Sequence, residues 1–171
     1  HWTSTVKRLH AEVPHREYEN PHQRELAAFW REKYEEIAQI VKRAESLGRA
    51  RQKQSHDFVL CHADIHRANL LINAAGKLYV VDWDQPIYAP KERDLMFILT
   101  TSLRGCAPGT PEEAAFFAGY GDAAPDPLAL AYYRYEWAVQ DISEFAASIV
   151  VRTHTGEAEQ TESLRMLRGQ F

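Results

Sequence analysis

Two short stretches of sequence decide the fold: His62-Ala63-Asp64-Ile65-His66-Arg67-Ala68-Asn69 and, after a hairpin, Val81-Asp82-Trp83-Asp84. The first places an asparagine five residues after an aspartate, and the second places a carboxylate at the end of an apolar run. This order and spacing is typical of a phosphoryl-transfer site, in which one carboxylate orients the acceptor hydroxyl while an amide and a second carboxylate hold magnesium. The sequence therefore predicts a kinase-type site.

The side chains of these stretches have distinct predicted roles. Asp64 is the candidate catalytic base, and Asn69 and Asp82 offer oxygen ligands of the kind that Mg²⁺ prefers. Asp84 can reach a second metal ion or bind the first through water. His62 is expected behind the loop, where it hydrogen-bonds the backbone and fixes the loop's shape. Each residue alone reads as an ordinary turn or surface residue, but together they have the strand and hairpin context that the motif requires.

A predicted β-hairpin brings the two stretches together. Two mainly apolar segments, residues 70–73 and 78–82, flank a turn in which Gly76 is expected at a positive φ angle. The first strand begins directly after Asn69, and the second ends on Asp82. Pairing of the two strands therefore places Asn69 and Asp82 at the same end of the hairpin.

The rest of the chain is predicted to be mainly helical, which makes the fold class α+β. Asn20-Pro21 is a strong helix start, and Gly48 is expected to end that helix. Apolar residues 58–61 form a short strand before the first motif. The other expected helices cover residues 2–13, 93–99, 111–117, 127 to about 152, and 161–167.

Composition limits the classes of function. The chain has 171 residues, 45% of them hydrophobic, which is enough for one core, and we expect a single domain. A net charge of −4, without a basic run interleaved with aromatics, argues against a nucleic-acid partner. No apolar run is long enough to cross a bilayer. Cys61 and Cys106 form no metal-type pair, so we expect a reducing, cytoplasmic setting.

In these motifs the chain resembles the aminoglycoside phosphotransferase family of kinase-like enzymes, and within that family it resembles the enzymes that act on aminocyclitols such as spectinomycin. The resemblance lies in residues 61–69, 80–86 and 89–98, and extends to 132–136 and 140–142 on the long helix. It implies a protein-kinase-like C-terminal lobe over residues 1–171, with Mg²⁺ and ATP or GTP as cofactors. It also implies that Asp94 braces the catalytic loop from a buried helix.

The same resemblance implies a cationic antibiotic as substrate. Carboxylates on the long helix can bind its ammonium groups, and aromatic side chains can form a wall of the pocket. The candidates are Glu136, Trp137, Asp141 and Glu144, with Tyr133 as a second aromatic. On a long helix, aromatic residues more often belong to the core and acidic residues to the solvated face.

One departure from the family is large. The chain has no Gly-rich loop and no Lys on an early strand, and it begins at His1 rather than Met. We therefore expect the nucleotide-binding N-terminal lobe to be absent and the chain to be a fragment or a processed form. It should be inactive alone unless another chain, or self-association, supplies that lobe.

Two other classes of function remain open at this stage. A metal-dependent hydrolase could use His62, Asp64, His66, Asp82 and Asp84 to hold Zn²⁺ or Mn²⁺. Asn69 disfavours this reading because an amide is a poor zinc ligand. A module that binds the drug without modifying it is the second alternative, since it would need no nucleotide.

Overall fold

The computed structural model describes residues 1–55, 57–99, 109–121, 124–152 and 156–171. Within these ranges the chain forms helices joined by short strands, and it separates into two compact units, residues 1–49 with 134–171 and residues 50–133. The helices are α1 (Trp2–Glu12), α2 (Pro21–Glu32), α3 (Tyr34–Arg51), α4 (Glu92–Ile98), α5 (Pro111–Tyr120), α6 (Pro127–Val150) and α7 (Glu157–Arg168), and the strands are β1 (Val59–Cys61), β2 (Leu70–Ile72), β3 (Leu78–Val80) and β4 (Ile87–Ala89). The predicted mainly helical α+β class is confirmed.

The first unit is a helical bundle with its own core. The Asn20 side chain accepts hydrogen bonds from the His22 and Gln23 amides, so it caps α2 as the sequence predicts. Apolar side chains from α1, α2, α3, α6 and α7 pack into one buried cluster, and Trp30 at its centre is fully buried. Burial of this apolar surface stabilises the unit more than helix propensity does.

The helix predicted from residue 21 to Gly48 begins where expected, but it is interrupted once and does not end at Gly48. Lys33 leaves the helical region (φ −97°, ψ 14°) and separates α2 from α3. Gly48 lies inside α3, which continues to Arg51. The helix passes through the glycine because Leu47 and Arg51 are both buried, and this packing outweighs the roughly 1 kcal/mol that an interior glycine costs.

The second unit carries two small antiparallel sheets. Strands β2 and β3 form the predicted hairpin, with Leu70 opposite Val80, and Gly76 has the predicted positive φ angle of 77°. The Asn73 side chain accepts hydrogen bonds from the Ala75 and Lys77 amides, which stabilises the turn.

A second pairing, between β1 and β4, was not predicted. It joins the strand before the first motif to Ile87–Ala89, just before α4. Cys61 is fully buried in this sheet as a free thiol. Cys106 lies outside the described residues. None of the described helices is both long and apolar enough to cross a membrane.

Candidate active site

Asp94 anchors the first motif loop. Its Oδ2 accepts a hydrogen bond from the His62 amide (2.8 Å), and its Oδ1 accepts one from the Ala63 amide (2.7 Å). Both are charge-assisted bonds, which are the stronger kind. Ala63 has a φ angle of 70°, a left-handed conformation that a residue with a Cβ rarely adopts. The carboxylate on α4 therefore holds a strained backbone turn immediately before Asp64.

His62 connects the two motif loops. Its side chain is buried, and its Nε2 lies 2.8 Å from the Val81 carbonyl oxygen. Because a carbonyl only accepts, Nε2 carries the hydrogen, and Nδ1 accepts the Asp64 amide at 3.3 Å. The ring also contacts the Trp83 indole, 4.6 Å between centroids. Both ring nitrogens are thus occupied by backbone, which makes His62 a positioning residue for these loops.

Asn69 lies where the catalytic loop enters the hairpin. Its Nδ2 donates to the Asp64 carbonyl oxygen (2.9 Å), and its own carbonyl oxygen accepts the Val81 amide (3.0 Å). Asn69 is 7% exposed. Since the amide nitrogen must face that carbonyl, the orientation of Oδ1 is fixed, and no described residue donates a hydrogen bond to it.

Asp82 follows directly after this contact. The hairpin register puts Val80 opposite Leu70 and the Val81 amide on Asn69, so the backbones of Asn69 and Asp82 lie at the same end of the hairpin. Asp82 has a φ angle of 68°, which an aspartate tolerates better than most residues. The side chains of Asp82 and Asp84 are exposed.

Asp64 presents two unlike carboxylate oxygens. Oδ1 is shielded from solvent and has no hydrogen-bond partner among the described residues, although the side chain as a whole is 41% exposed. Oδ2 lies 3.6 Å from His66 Nε2. Burial raises the pKa of Asp64, while the nearby His66, Arg93 and His62 oppose this rise. A shielded carboxylate with a raised pKa accepts a proton more readily than an exposed one.

The substrate candidates lie on α6 in the unit formed by residues 1–49 and 134–171. Trp137, Asp141 and Glu144 recur at helical spacing and so share one face of α6. Glu144 is exposed and accepts a hydrogen bond from Gln140 (3.4 Å), whereas Glu136 is half-buried.

Tyr133 does not offer a free aromatic face. It is buried, and the Arg51 guanidinium lies 4.7 Å from its ring centroid, within the unit formed by residues 50–133. The ring is therefore used for a cation–π contact inside that unit.

The side chains required by the metal-hydrolase reading do not form a donor cluster. Among the described residues, no group of three or more His, Cys, Asp or Glu side chains is placed to hold a metal ion. His62, which that reading needs as a ligand, has its Nε2 on the Val81 carbonyl and its Nδ1 on the Asp64 amide.

Sequence reasoning missed the surroundings of Asp64. It gave His66 a role only as a metal ligand in the hydrolase alternative, but the ring lies beside Asp64 and edge-on to the buried Phe97, 6.5 Å between centroids. It also gave no role to Arg93, whose guanidinium lies 5.6 Å from the Phe97 ring centroid. Helical spacing of Arg93 and Phe97 was the only available signal, because four residues along a helix place two side chains on one face.

Comparisons with known proteins identify the family. The model of the APH family, described as the phosphotransferase enzyme family, matches residues 4–133. Two crystal structures of spectinomycin phosphotransferase, APH(9)-Ia, are similar to this chain at 29% identity. One is a complex with ADP and spectinomycin (TM-score 0.81) and the other is AMP-bound (TM-score 0.82). None of the curated protein sequences matches.

The structural matches cover 98% and 99% of this chain but 50% and 52% of the enzymes, so the chain spans about half their length. The family match includes both motif loops and Asp94. The resemblance to aminoglycoside phosphotransferases is thereby confirmed, and the chain belongs to the phosphotransferase enzyme family.

Proposed function

We propose that this chain carries the catalytic loop and the metal-binding loop of an enzyme that transfers the γ-phosphoryl group of ATP or GTP to a hydroxyl of an aminocyclitol antibiotic such as spectinomycin. One observation carries the proposal. The Asp64 carboxylate and the Asn69 carboxamide are oriented from one loop, and that loop is hydrogen-bonded to the segment that bears Asp82.

Asn69 and Asp82 suit Mg²⁺ by the chemistry of their donors. The Asn69 carboxamide has its nitrogen fixed on the Asp64 carbonyl, which leaves its oxygen as a ligand, and the exposed Asp82 carboxylate supplies a charged oxygen. Both are hard oxygen donors, and Mg²⁺ in kinases keeps one or two of these together with phosphate oxygens and water. When bound, Mg-ATP supplies the phosphoryl group and the metal neutralises charge on it. Asp84 is assigned to a second ion or to a water-mediated contact.

Asp64 acts as the base in this proposal. Its solvent-facing Oδ2 accepts the proton of the acceptor hydroxyl as the hydroxyl oxygen bonds to the transferred phosphorus and the nucleoside diphosphate leaves. The exposure of the Asp64 side chain supports the assignment, because the hydroxyl can reach Oδ2 and the nearest protein nitrogen given for Oδ2, His66 Nε2, is 3.6 Å away. His62 and Asp94 hold the loop in the conformation that orients Asp64.

Two observations support a cationic acceptor: the ligand of a structural neighbour and the acidic side chains on α6. The spectinomycin phosphotransferase structure holds spectinomycin and ADP, which makes an aminocyclitol the leading acceptor class. We assign Glu136, Asp141 and Glu144 to its ammonium groups, and Trp137 to its apolar face.

The sheet strands present an apolar surface that a further part of the enzyme could cover. Strands β1 to β4 and the residue before β1 expose several large apolar side chains, and these lie in the same unit as the catalytic loop. The most exposed are Phe58, Leu60, Ile72, Leu78 and Tyr88. Exposed apolar side chains in this number are typical of a surface that another polypeptide covers. We therefore propose that transfer requires a nucleotide-binding part, supplied by further polypeptide or by a second copy.

A transfer assay with matched variants tests the proposal. The chain is incubated with Mg-ATP and spectinomycin, both alone and together with the part of APH(9)-Ia that the match leaves uncovered, and nucleoside diphosphate release is measured. Asp64→Asn should lower kcat by about 10²–10⁴-fold. Asp57→Asn, an exposed acid outside both motif loops, should leave it unchanged. Full turnover by Asp64→Asn would exclude Asp64 as the base.

Spectinomycin binding without transfer, in either preparation, would favour the drug-binding module instead. Kanamycin and choline serve as alternative acceptors in the same assay. A higher kcat/KM for either one would move the substrate class away from aminocyclitols.

A further inference from the structure

His66 lies against the outer oxygen of Asp64. The distance from His66 Nε2 to Asp64 Oδ2 is 3.6 Å, while Asp64 Oδ1 is buried and has no hydrogen-bond partner among the described residues. An ionised carboxylate can only accept hydrogen bonds, so a pairing of these groups requires the hydrogen on Nε2. Contacts at catalytic groups are often long before the substrate binds and shorten in the complex.

The backbone on both sides holds the imidazole in this place. The His66 amide donates to the Asp64 carbonyl oxygen (2.9 Å), and the His66 carbonyl oxygen accepts the Asn69 amide (3.0 Å). The ring lies edge-on to Phe97, which is 3% exposed. The position of the ring is therefore determined by the turn of the loop and by a buried helix side chain. A surface histidine without such contacts samples several rotamers.

We propose that His66 is a positioning residue for the base, in an inference that rests on the proposed function: Nε2–H of His66 holds Oδ2 of Asp64, so that Oδ1 stays buried and Oδ2, the solvent-facing oxygen, is presented to the acceptor hydroxyl. His66 takes no proton and touches neither the acceptor nor the nucleotide in this role. It removes the rotation about the Asp64 χ2 angle that would exchange the two oxygens. Misplacement of a catalytic group by about 1 Å costs roughly a hundredfold in rate.

Phe97 gives the arrangement its second support. The Phe97 ring contacts the His66 ring edge-on, and the Arg93 guanidinium lies 5.6 Å from the Phe97 ring centroid. Arg93 precedes Asp94 on α4, and Asp94 holds the backbone immediately before Asp64. Helix α4 thus supports the base from two directions, through the main chain by Asp94 and through the His66 ring by Phe97.

Two variants separate this role from a merely structural one. In His66→Gln the side-chain amide nitrogen takes the place of Nε2, whereas in His66→Asn it takes the place of Nδ1 and cannot reach Asp64. Both are small polar amides at a side chain that is 34% exposed, so we expect both to fold. His15→Asn, at an exposed histidine in the first unit, is the matched control.

The first readout is kinetic. We expect His66→Asn to lower kcat for phosphoryl transfer by about 10–100-fold, with the KM for the acceptor within about twofold of wild type. His66→Gln should recover most of kcat, and His15→Asn should match wild type. Equal rates for wild type and His66→Asn, or equal losses for the two His66 variants, would overturn the proposal.

The second readout needs no nucleotide and no acceptor. At pH 8, two-bond ¹⁵N–¹H correlations of this chain should show the His66 hydrogen on Nε2, and the Asp64 ¹³Cγ shift should change in His66→Asn but not in His66→Gln. A hydrogen on Nδ1 of His66, or an Asp64 ¹³Cγ shift that is the same in wild type and both variants, would refute the pairing whether or not phosphoryl transfer is found.

The assays also distinguish a failure of Asp64 as the base from a failure of His66 as its positioning residue. If Asp64→Asn retains transfer, the proposed function fails and the nuclear magnetic resonance result alone decides on the pairing. If Asp64→Asn abolishes transfer while His66→Asn is fully active, Asp64 stands as the base and the role of His66 is wrong.

Discussion

Removal of the Asp94 carboxylate should destabilise the second unit more than any other single change to its polar side chains. Asp94→Ala leaves the His62 and Ala63 amides without the acceptor that each has at 2.8 and 2.7 Å. A hydrogen bond to a charged group contributes about 1.5–3 kcal/mol, so two of them contribute about 3–6 kcal/mol. Relaxation of Ala63 from its φ angle of 70° returns about 1–2 kcal/mol of this. The expected loss in the free energy of unfolding is therefore about 3 kcal/mol.

Urea unfolding followed by circular dichroism measures this loss, and hydrogen exchange at the His62 and Ala63 amides locates it. Asp94→Asn should lose about half as much, because its carboxamide oxygen can accept only one of the two bonds. Glu36→Ala, which removes an exposed ion pair with Lys33 at 3.0 Å, should cost less than about 0.5 kcal/mol. If Asp94→Ala unfolds within about 0.5 kcal/mol of wild type and both amides stay protected, the anchoring role is wrong.

Three further predictions concern other features of the structure. Ala63→Val should lower the free energy of unfolding by about 2 kcal/mol and Ala63→Gly by less than about 1 kcal/mol, because a β-branched residue tolerates a positive φ angle poorly and glycine adopts it freely. Equal urea midpoints for the two variants would contradict this. Burial raises the pKa of the Cys61 thiol to about 11, so iodoacetamide at pH 8 should label the Cys61 peptide only in urea, and rapid labelling of folded protein would refute its burial. Burial lowers the pKa of His10, whose ring nitrogen accepts the Trp30 indole N–H at 3.1 Å. The free energy of unfolding should therefore be highest above His10's ordinary pKa of 6.5 and fall as the pH drops below it. His10→Asn should flatten that part of the pH profile, and an unchanged slope would exclude His10 as its source.

The sequence was most informative where a feature depends on local pattern. The spacing of Asp64 and Asn69 and the turn at Gly76 were sufficient to predict the hairpin and the meeting of Asn69 with the Asp82 segment, because register follows from strand length and turn type. The cap at Asn20 was readable for the same reason. These features need no knowledge of distant packing.

Features that depend on tertiary contacts were not readable. Gly48 looks like a helix end, yet burial of Leu47 and Arg51 carries α3 past it. Strand β4 is three residues long and is defined only by its pairing with β1. The bonds from Asp94 to the catalytic loop were inferred through family resemblance alone. The His66 contact with Asp64 follows from the turn of the loop and from Phe97 on α4, which no local pattern links to it.

The most direct test of the central claim is the mass of spectinomycin recovered after incubation with Mg-ATP and this chain, supplemented with the part of APH(9)-Ia that the match leaves uncovered. The account predicts one added phosphoryl group per molecule, which is absent when Asp64→Asn or Asp82→Asn replaces the wild-type chain. Unmodified spectinomycin with the wild-type chain, in a preparation that binds both nucleotide and drug, would contradict the account.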